Sequence, residues 1–169
     1  MELIDFEGAQ IATLLTPTTL TLVTARDDEG DCVATCAWVN PLSHEPSLIG
    51  VSLRPGGRTA NAIAAGGCFC VNVLPTGTKK IAVACGKKGA GQPERFAAAG
   101  ISRLACSKVN SVRVAEAISW IECELVDRKV YGDHELFVGR TLVAQGAPDA
   151  EPLLMKGRSA FGRFTEEER

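Results

Sequence analysis

The sequence predicts a mainly β, single-domain protein: a closed antiparallel barrel of six or more strands with short helices at its periphery. Runs with strand character recur at residues 18–25, 32–39, 48–53, 68–74, 117–130 and 135–144, with period-two alternation in 18–25 and 117–130. Several of these runs are separated only by short polar turns, as hairpins are. No alternation of strand with long crossover helix is present, which disfavours a doubly wound parallel sheet. Closure is expected because it removes the exposed edges that such strands would otherwise leave.

Taken in order, residues 5–15 read as a short helix with Ile11, Leu14 and Leu15 on one side, stopped by Pro17. Residues 18–25 and 32–39 form a hairpin across the polar turn RDDEGD. Residues 40–47 are dense in turn formers and read as a loop, after which 48–53 restores strand character. Gly56 and Gly57 break that strand, and Thr59 is placed to cap a helix that Gly66 and Gly67 end. Helices are expected over about 78–85 and again after Pro93, with a flexible Gly-rich loop between them. A long hairpin follows, turning at Tyr131, Gly132, Asp133 and His134.

With 169 residues the chain suits one domain spanning 1–169, with a core of 10–165 and a solvated, mobile tail over 165–169. A formal net charge of −2 argues against a nucleic-acid partner. No stretch approaches a membrane span and the acidic start carries no secretory pattern. Seven cysteines, an odd number in a chain this long, suit a reducing cytoplasm better than a disulfide framework. Cys68 and Cys70 would project from one strand face about 6.6 Å apart. Neither they nor Cys32 and Cys36 make the paired knuckles of a zinc site, so the thiols read as buried small hydrophobes and no metal is expected.

Residues 32–59 hold the densest set of candidate ligand contacts. Arg58 and Thr59 follow two glycines and open a helix, which would bring charge, hydroxyl and the positive helix end to bear on an anion. Read alone, the same pair is an exposed arginine beside a helix cap. Gly50 and Ser52 leave room beside a flat ligand, and Trp38 is either a ligand wall or barrel core. His134 after a Gly-Asp turn is a hairpin residue bonding Asp133 unless a site gives it more to do. Lys87 and Lys88 lie in the Gly-rich loop, either adding charge near an anion or simply solvated.

These stretches resemble the flavin reductase-like family, built on an FMN-binding split barrel. ATCAWVNPLSHEP is similar to the family's first flavin-contacting strand and the loop after it, and VSLRPGGRTANAI to its phosphate-binding segment. GGCFCVNVL resembles the next strand, YGDHELFVGR the hairpin with Gly, Asp and His before an aromatic and a Gly, and EPLLMKGRSAFGRF the closing segment. The resemblance implies flavin contacts from Thr35, Cys36, Ala37, Trp38, Asn40, Ser52, Leu53, Arg58, Thr59 and Lys87, with Phe161 or Phe164 approaching the flavin. It implies that His134 lies over the cleft and touches the second substrate. The implied activity is hydride transfer from NADH or NADPH to FMN, with FAD an alternative, and the hard chemistry done by the cofactor. A homodimer and a monooxygenase partner are also implied. Rival expectations are a flavoredoxin-like FMN electron carrier and a barrel that binds a ligand without redox chemistry.

Overall fold

The structure is a computed structural model that describes residues 3–87, 91–157, 160–163 and 165. Its strands are β1 Thr18–Thr19, β2 Thr21–Asp27, β3 Gly30–Cys36, β4 Val39–Ser43, β5 Leu48–Leu53, β6 Cys68–Val73, β7 Arg103–Ala105, β8 Val112–Val114, β9 Ser119–Tyr131, β10 His134–Gly146, β11 Leu154–Lys156 and β12 Ala160–Gly162. Three helices intervene: α1 Arg58–Gly66, α2 Lys79–Gly86 and α3 Gln92–Ala99. The main sheet has seven strands in the order β3-β2-β6-β9-β10-β5-β4, every pairing antiparallel. A three-stranded sheet β1-β11-β12 and the hairpin β7–β8 stand beside it.

The long β9–β10 hairpin forms where expected, and burial alternates along the first half of β10, whereas in β9 the neighbours Glu122 and Cys123 are both buried. It turns between Tyr131 and His134, with Gly132 at φ 61, a left-handed conformation glycine adopts without strain. The first strand pair departs from simple alternation. β2 is buried on both faces from Thr21 to Ala25. Val23 and Ala25 pack with Phe69, Val71, Phe137 and Ile63 in one core, while Leu22 packs with Val33, Ala82, Cys85 and Phe96 in a second core beneath α2 and α3. Each fully buried Phe or Leu contributes on the order of 1.5–3 kcal/mol.

Several boundaries differ from the sequence expectation. The strand expected over 32–39 ends at Cys36, and β4 begins three residues later, at Val39, and runs into what reads as loop. Pro41 is tolerated there because β4 is an edge strand, where a missing N–H costs no ladder bond. The N-terminal helix is a 3₁₀ segment over Gly8–Leu15 with no buried residue, and Leu14 and Leu15 are 58% and 79% exposed. Helix α1 starts one residue before its expected cap: Gly57 is the N-cap and accepts the Asn61 amide at 2.9 Å. Thr59 therefore sits inside the first turn and its hydroxyl is released from capping.

The expected closure is not made by strand ladders. Among the described residues, β3 and β4 end the seven-stranded order without pairing to each other. They are consecutive in sequence, and the gap is crossed by the Ser52 amide donating to Trp38 O at 3.0 Å and the Cys36 thiol donating to Ser52 O at 3.4 Å. The free edge of β3 is covered by α3. Val33 N–H donates to Gln92 Oε1 at 2.8 Å, and Arg95 donates to Val33 O at 3.1 Å.

Candidate functional site

Where the two ends of the sheet approach each other, a cavity of about 580 Å³ opens. This is within the size range of cofactor pockets. Its walls come from the end of β3, the Ala37–Trp38 crossing, the end of β5, the first turn of α1 and the facing ends of α2 and α3. Small residues dominate the interior, Ala34, Ala37, Gly57, Ala60, Gly86 and Gly91 among them, so backbone lies near the surface of the cavity.

One end of the cavity suits an anion. Thr59 is 3% exposed, and its Oγ1 is buried with no hydrogen-bond partner. An unpaired buried hydroxyl costs on the order of 1–3 kcal/mol, which a ligand oxygen there would recover. The hydroxyl lies in the first turn of α1, a helix that begins without a side-chain cap, so the positive end of its backbone dipoles faces the same space. Arg58 and Arg95 line this region. Arg58 is nevertheless engaged: its Nε and Nη2 fork onto the Asp27 carboxylate at 2.8 and 2.7 Å, and Nη1 reaches Glu29 at 3.2 Å. Chiefly through the Arg58 hydrogen bond, Asp27 is held at about 2, below its ordinary 3.8.

The other end is aromatic. The Trp38 and His134 rings lie 4.5 Å apart between centroids, inclined at 36°. His134 Nδ1 stands 2.8 Å from Asp133 Oδ1, and Asp133 is 3.7 Å from Arg54. With Nδ1 turned to the carboxylate, Nε2 is the ring nitrogen left for a ligand. The His134 hydrogen bond, assisted by Arg54, keeps Asp133 below the usual carboxylate range. Cys36 lines the middle of the cavity, but burial pushes its thiol up to about 11, so it presents a small neutral wall.

The family described as "Flavin reductase like domain" matches residues 13–163. The chain belongs to this family. Among relatives, it is 32% identical over 152 residues to "NADH-dependent FMN reductase AsuE2" of Streptomyces nodosus subsp. asukaensis, covering 87% of this chain and 78% of that one. It is 29% identical over 135 residues to "Flavin-dependent monooxygenase, reductase subunit HsaB" of Mycobacterium tuberculosis strain H37Rv, covering 80% and 69%. The solved structure of Streptomyces globisporus NADH:FAD oxidoreductase SgcE6 with NAD and FAD fragments shares the fold, with a TM-score of 0.86 over the whole of both chains at 23% identity.

In this flavin reductase-like chain the cavity brings together nine of the residues singled out from the sequence: Thr35, Cys36, Ala37, Trp38, Ser52, Leu53, Arg58, Thr59 and His134. Three others do not line it. Asn40 is exposed on β4, opposite Gly50. Lys87 is exposed beyond α2. Phe161 packs at the second core, with Lys79 Nζ 4.9 Å from its ring centroid. Phe164, Lys88 and residues 166–169 of the expected tail lie outside the described residues. Gly50 leaves no room for a flat ligand, because a Cβ there would meet Leu42 at 3.0 Å and Leu136 at 3.2 Å. Sequence reasoning missed Arg54, Gln92 and Arg95. Gln92 and Arg95 could be placed only by knowing that α3 docks on the edge of β3. Arg54 stood in the turn already flagged, but its Asp133 partner is 79 positions away in the chain.

Proposed function

We propose that this protein is an NAD(P)H-dependent flavin oxidoreductase that binds FMN in the cavity between α1 and the β3–β5 gap. The observation that carries this reading is the orphaned, buried hydroxyl of Thr59 at an uncapped helix start, on a residue that lines a flavin-sized space together with Trp38 and His134. The cavity residues fit the group. Thr59 and the first-turn amides of α1 would hold the phosphate, and Arg58 and Arg95 add positive potential even though both guanidiniums have protein partners. The backbone around Thr35, Ala37 and Ser52 would meet the polar ring edge, with Cys36 and Leu53 as apolar wall. When bound, the flavin supplies hydride acceptance from a nicotinamide. The protein's part is positioning: His134, fixed by Asp133 and stacked near Trp38, would orient the nicotinamide over one open face at near-attack distance, about 3–3.5 Å. The names of AsuE2 and HsaB support NADH as donor and a flavin-dependent monooxygenase as consumer of the reduced flavin. Seven free thiols suit a reducing compartment, and the exposed Leu14 and Leu15 support a homodimer.

Anaerobic titration of the FMN-loaded protein with NADH and with NADPH tests this directly. Bleaching of the flavin band by either donor, and turnover that saturates with added free FMN or FAD, is the expected result. Bleaching without turnover of free flavin would indicate an electron carrier instead. Failure to take up FMN at all would overturn the proposal.

A further inference from the structure

We propose that Arg54 binds the pyrophosphate of the nicotinamide dinucleotide and so sets where NADH lies in the cavity. The inference rests on the flavin oxidoreductase reading above and names a binding residue which that reading leaves out. In a chain of formal net charge −2, the described residues that line the cavity include Arg54, Arg58, Arg95 and His134 but no Asp or Glu. A wall with charge of one sign suits anionic ligands. The flavin phosphate is one such group, and the diphosphate of a dinucleotide donor is another. Two of the arginines are already engaged. Arg58 forks onto Asp27 at 2.8 and 2.7 Å and reaches Glu29 at 3.2 Å, and Arg95 donates to Val33 O at 3.1 Å.

Arg54 is held far more loosely. It directly follows β5, its side chain is 65% exposed, and its Nη1 stands 3.7 Å from Asp133 Oδ2, beyond hydrogen-bond range. Asp133 is itself 73% exposed. An ion pair this long and this wet adds little to the stability of the fold. The guanidinium makes no closer side-chain contact among the described residues, so its donors can turn to a ligand. Its planar fork matches two oxygens of a phosphate, which an ammonium cannot do.

Placement supports the same role. Asp133 Oδ1 is 2.8 Å from His134 Nδ1 while Oδ2 faces Arg54, so the imidazole and the guanidinium stand at the two oxygens of one carboxylate. The His134 ring lies 4.5 Å from that of Trp38, and all three of His134, Trp38 and Arg54 line the cavity. In a dinucleotide donor only a ribose separates the nicotinamide from the pyrophosphate. A donor whose ring meets His134 therefore brings its diphosphate within reach of the long Arg54 side chain. Arg54 would exchange the distant Asp133 for phosphate oxygens, and Asp133 would keep its bond to His134.

Comparing the FMN-loaded protein with its Arg54→Gln variant tests this. In the variant KM for NADH should rise about tenfold, and NAD⁺ affinity measured by calorimetry should fall by a similar factor, while kcat and the FMN dissociation constant hold. Arg54→Lys should recover part of the loss, because it restores the charge without the fork. Added salt should raise the parent's KM for NADH and leave that of Arg54→Gln nearly flat. With N-benzyl-1,4-dihydronicotinamide, a neutral hydride donor without phosphate, parent and variant should behave alike. The inference is overturned if KM for NADH does not move, or if both donors suffer equally, which would make Arg54 only a support for Asp133 and His134. A rise confined to NADPH would also overturn it, by assigning Arg54 to the 2′-phosphate. A parent that takes up no FMN, or is bleached by neither dinucleotide, defeats the reductase reading and this inference with it; a working reductase indifferent to Arg54→Gln defeats this inference alone.

Discussion

Thr59 carries a hydroxyl that the folded chain buries and does not use. If it serves an anionic ligand, Thr59→Val should separate two quantities that usually move together. Flavin affinity should fall about tenfold, on the order of 1.4 kcal/mol, while stability of the ligand-free protein stays level or rises because an unpaired donor has gone. Fluorescence titration and thermal unfolding of the same preparation check this; unchanged affinity would remove Thr59 from the site. Asp27 makes the opposite kind of contribution. Its folded-state pKa of about 2 lies below the ordinary 3.8, so the stability it adds is present above about pH 4 and lost as pH falls through about 2. Asp27→Asn should therefore cost about 1 kcal/mol at neutral pH, allowing for screening of a partly exposed pair, or about 2–4 °C in Tm. Its melting temperature should also fall less steeply than the parent's between pH 4 and 2. Arg58 and Thr59 were legible as a pair because glycines and a helix start flank them. Asp27 was not, because it sits in a hairpin turn 31 positions earlier and only the docking of α1 brings it to Arg58.

At the level of the elements, the β9–β10 hairpin bears the most exacting close contact. Gly139 sits at a register shift opposite Leu125, and a Cβ there would collide with the Phe69 ring edge and meet Cys123 Cβ at 2.7 Å. Since Phe69 is fully buried, neither neighbour has room to retreat. Gly139→Ala should destabilise by about 1–3 kcal/mol, read as a lower urea midpoint with unchanged slope. Strands with long alternation, β9 and β10 above all, could be read from sequence, as could the strand β5. β4 could not, because its Asn-Pro composition imitates a loop and only its edge position makes Pro41 acceptable. The start of α1 was misjudged by two residues, with the cap expected at Thr59, because Gly57, with no side-chain oxygen, carries no capping signal.

For the whole molecule, the antiparallel β architecture followed from strand spacing, but the open order of the main sheet did not, since sequence carries no record of how far the sheet curls. Leu3, Ile4, Ile11, Leu14 and Leu15 together leave an apolar N-terminal stretch in solvent. Sedimentation should give twice the chain mass, and Leu14→Ser with Leu15→Ser should shift it towards the monomer; a parent that sediments as a monomer would leave that stretch without the proposed role. The gap between β3 and β4 carries a further consequence. Since one part of the pocket wall is a two-residue crossing and another is the start of α3, tied on through Gln92 and Arg95, only the walls from β3 and β5 are set by the strand ladders. Descendants of such a chain are free to trade one guest for a bulkier one by altering the α2–α3 connection, while the scaffold's folding is left alone.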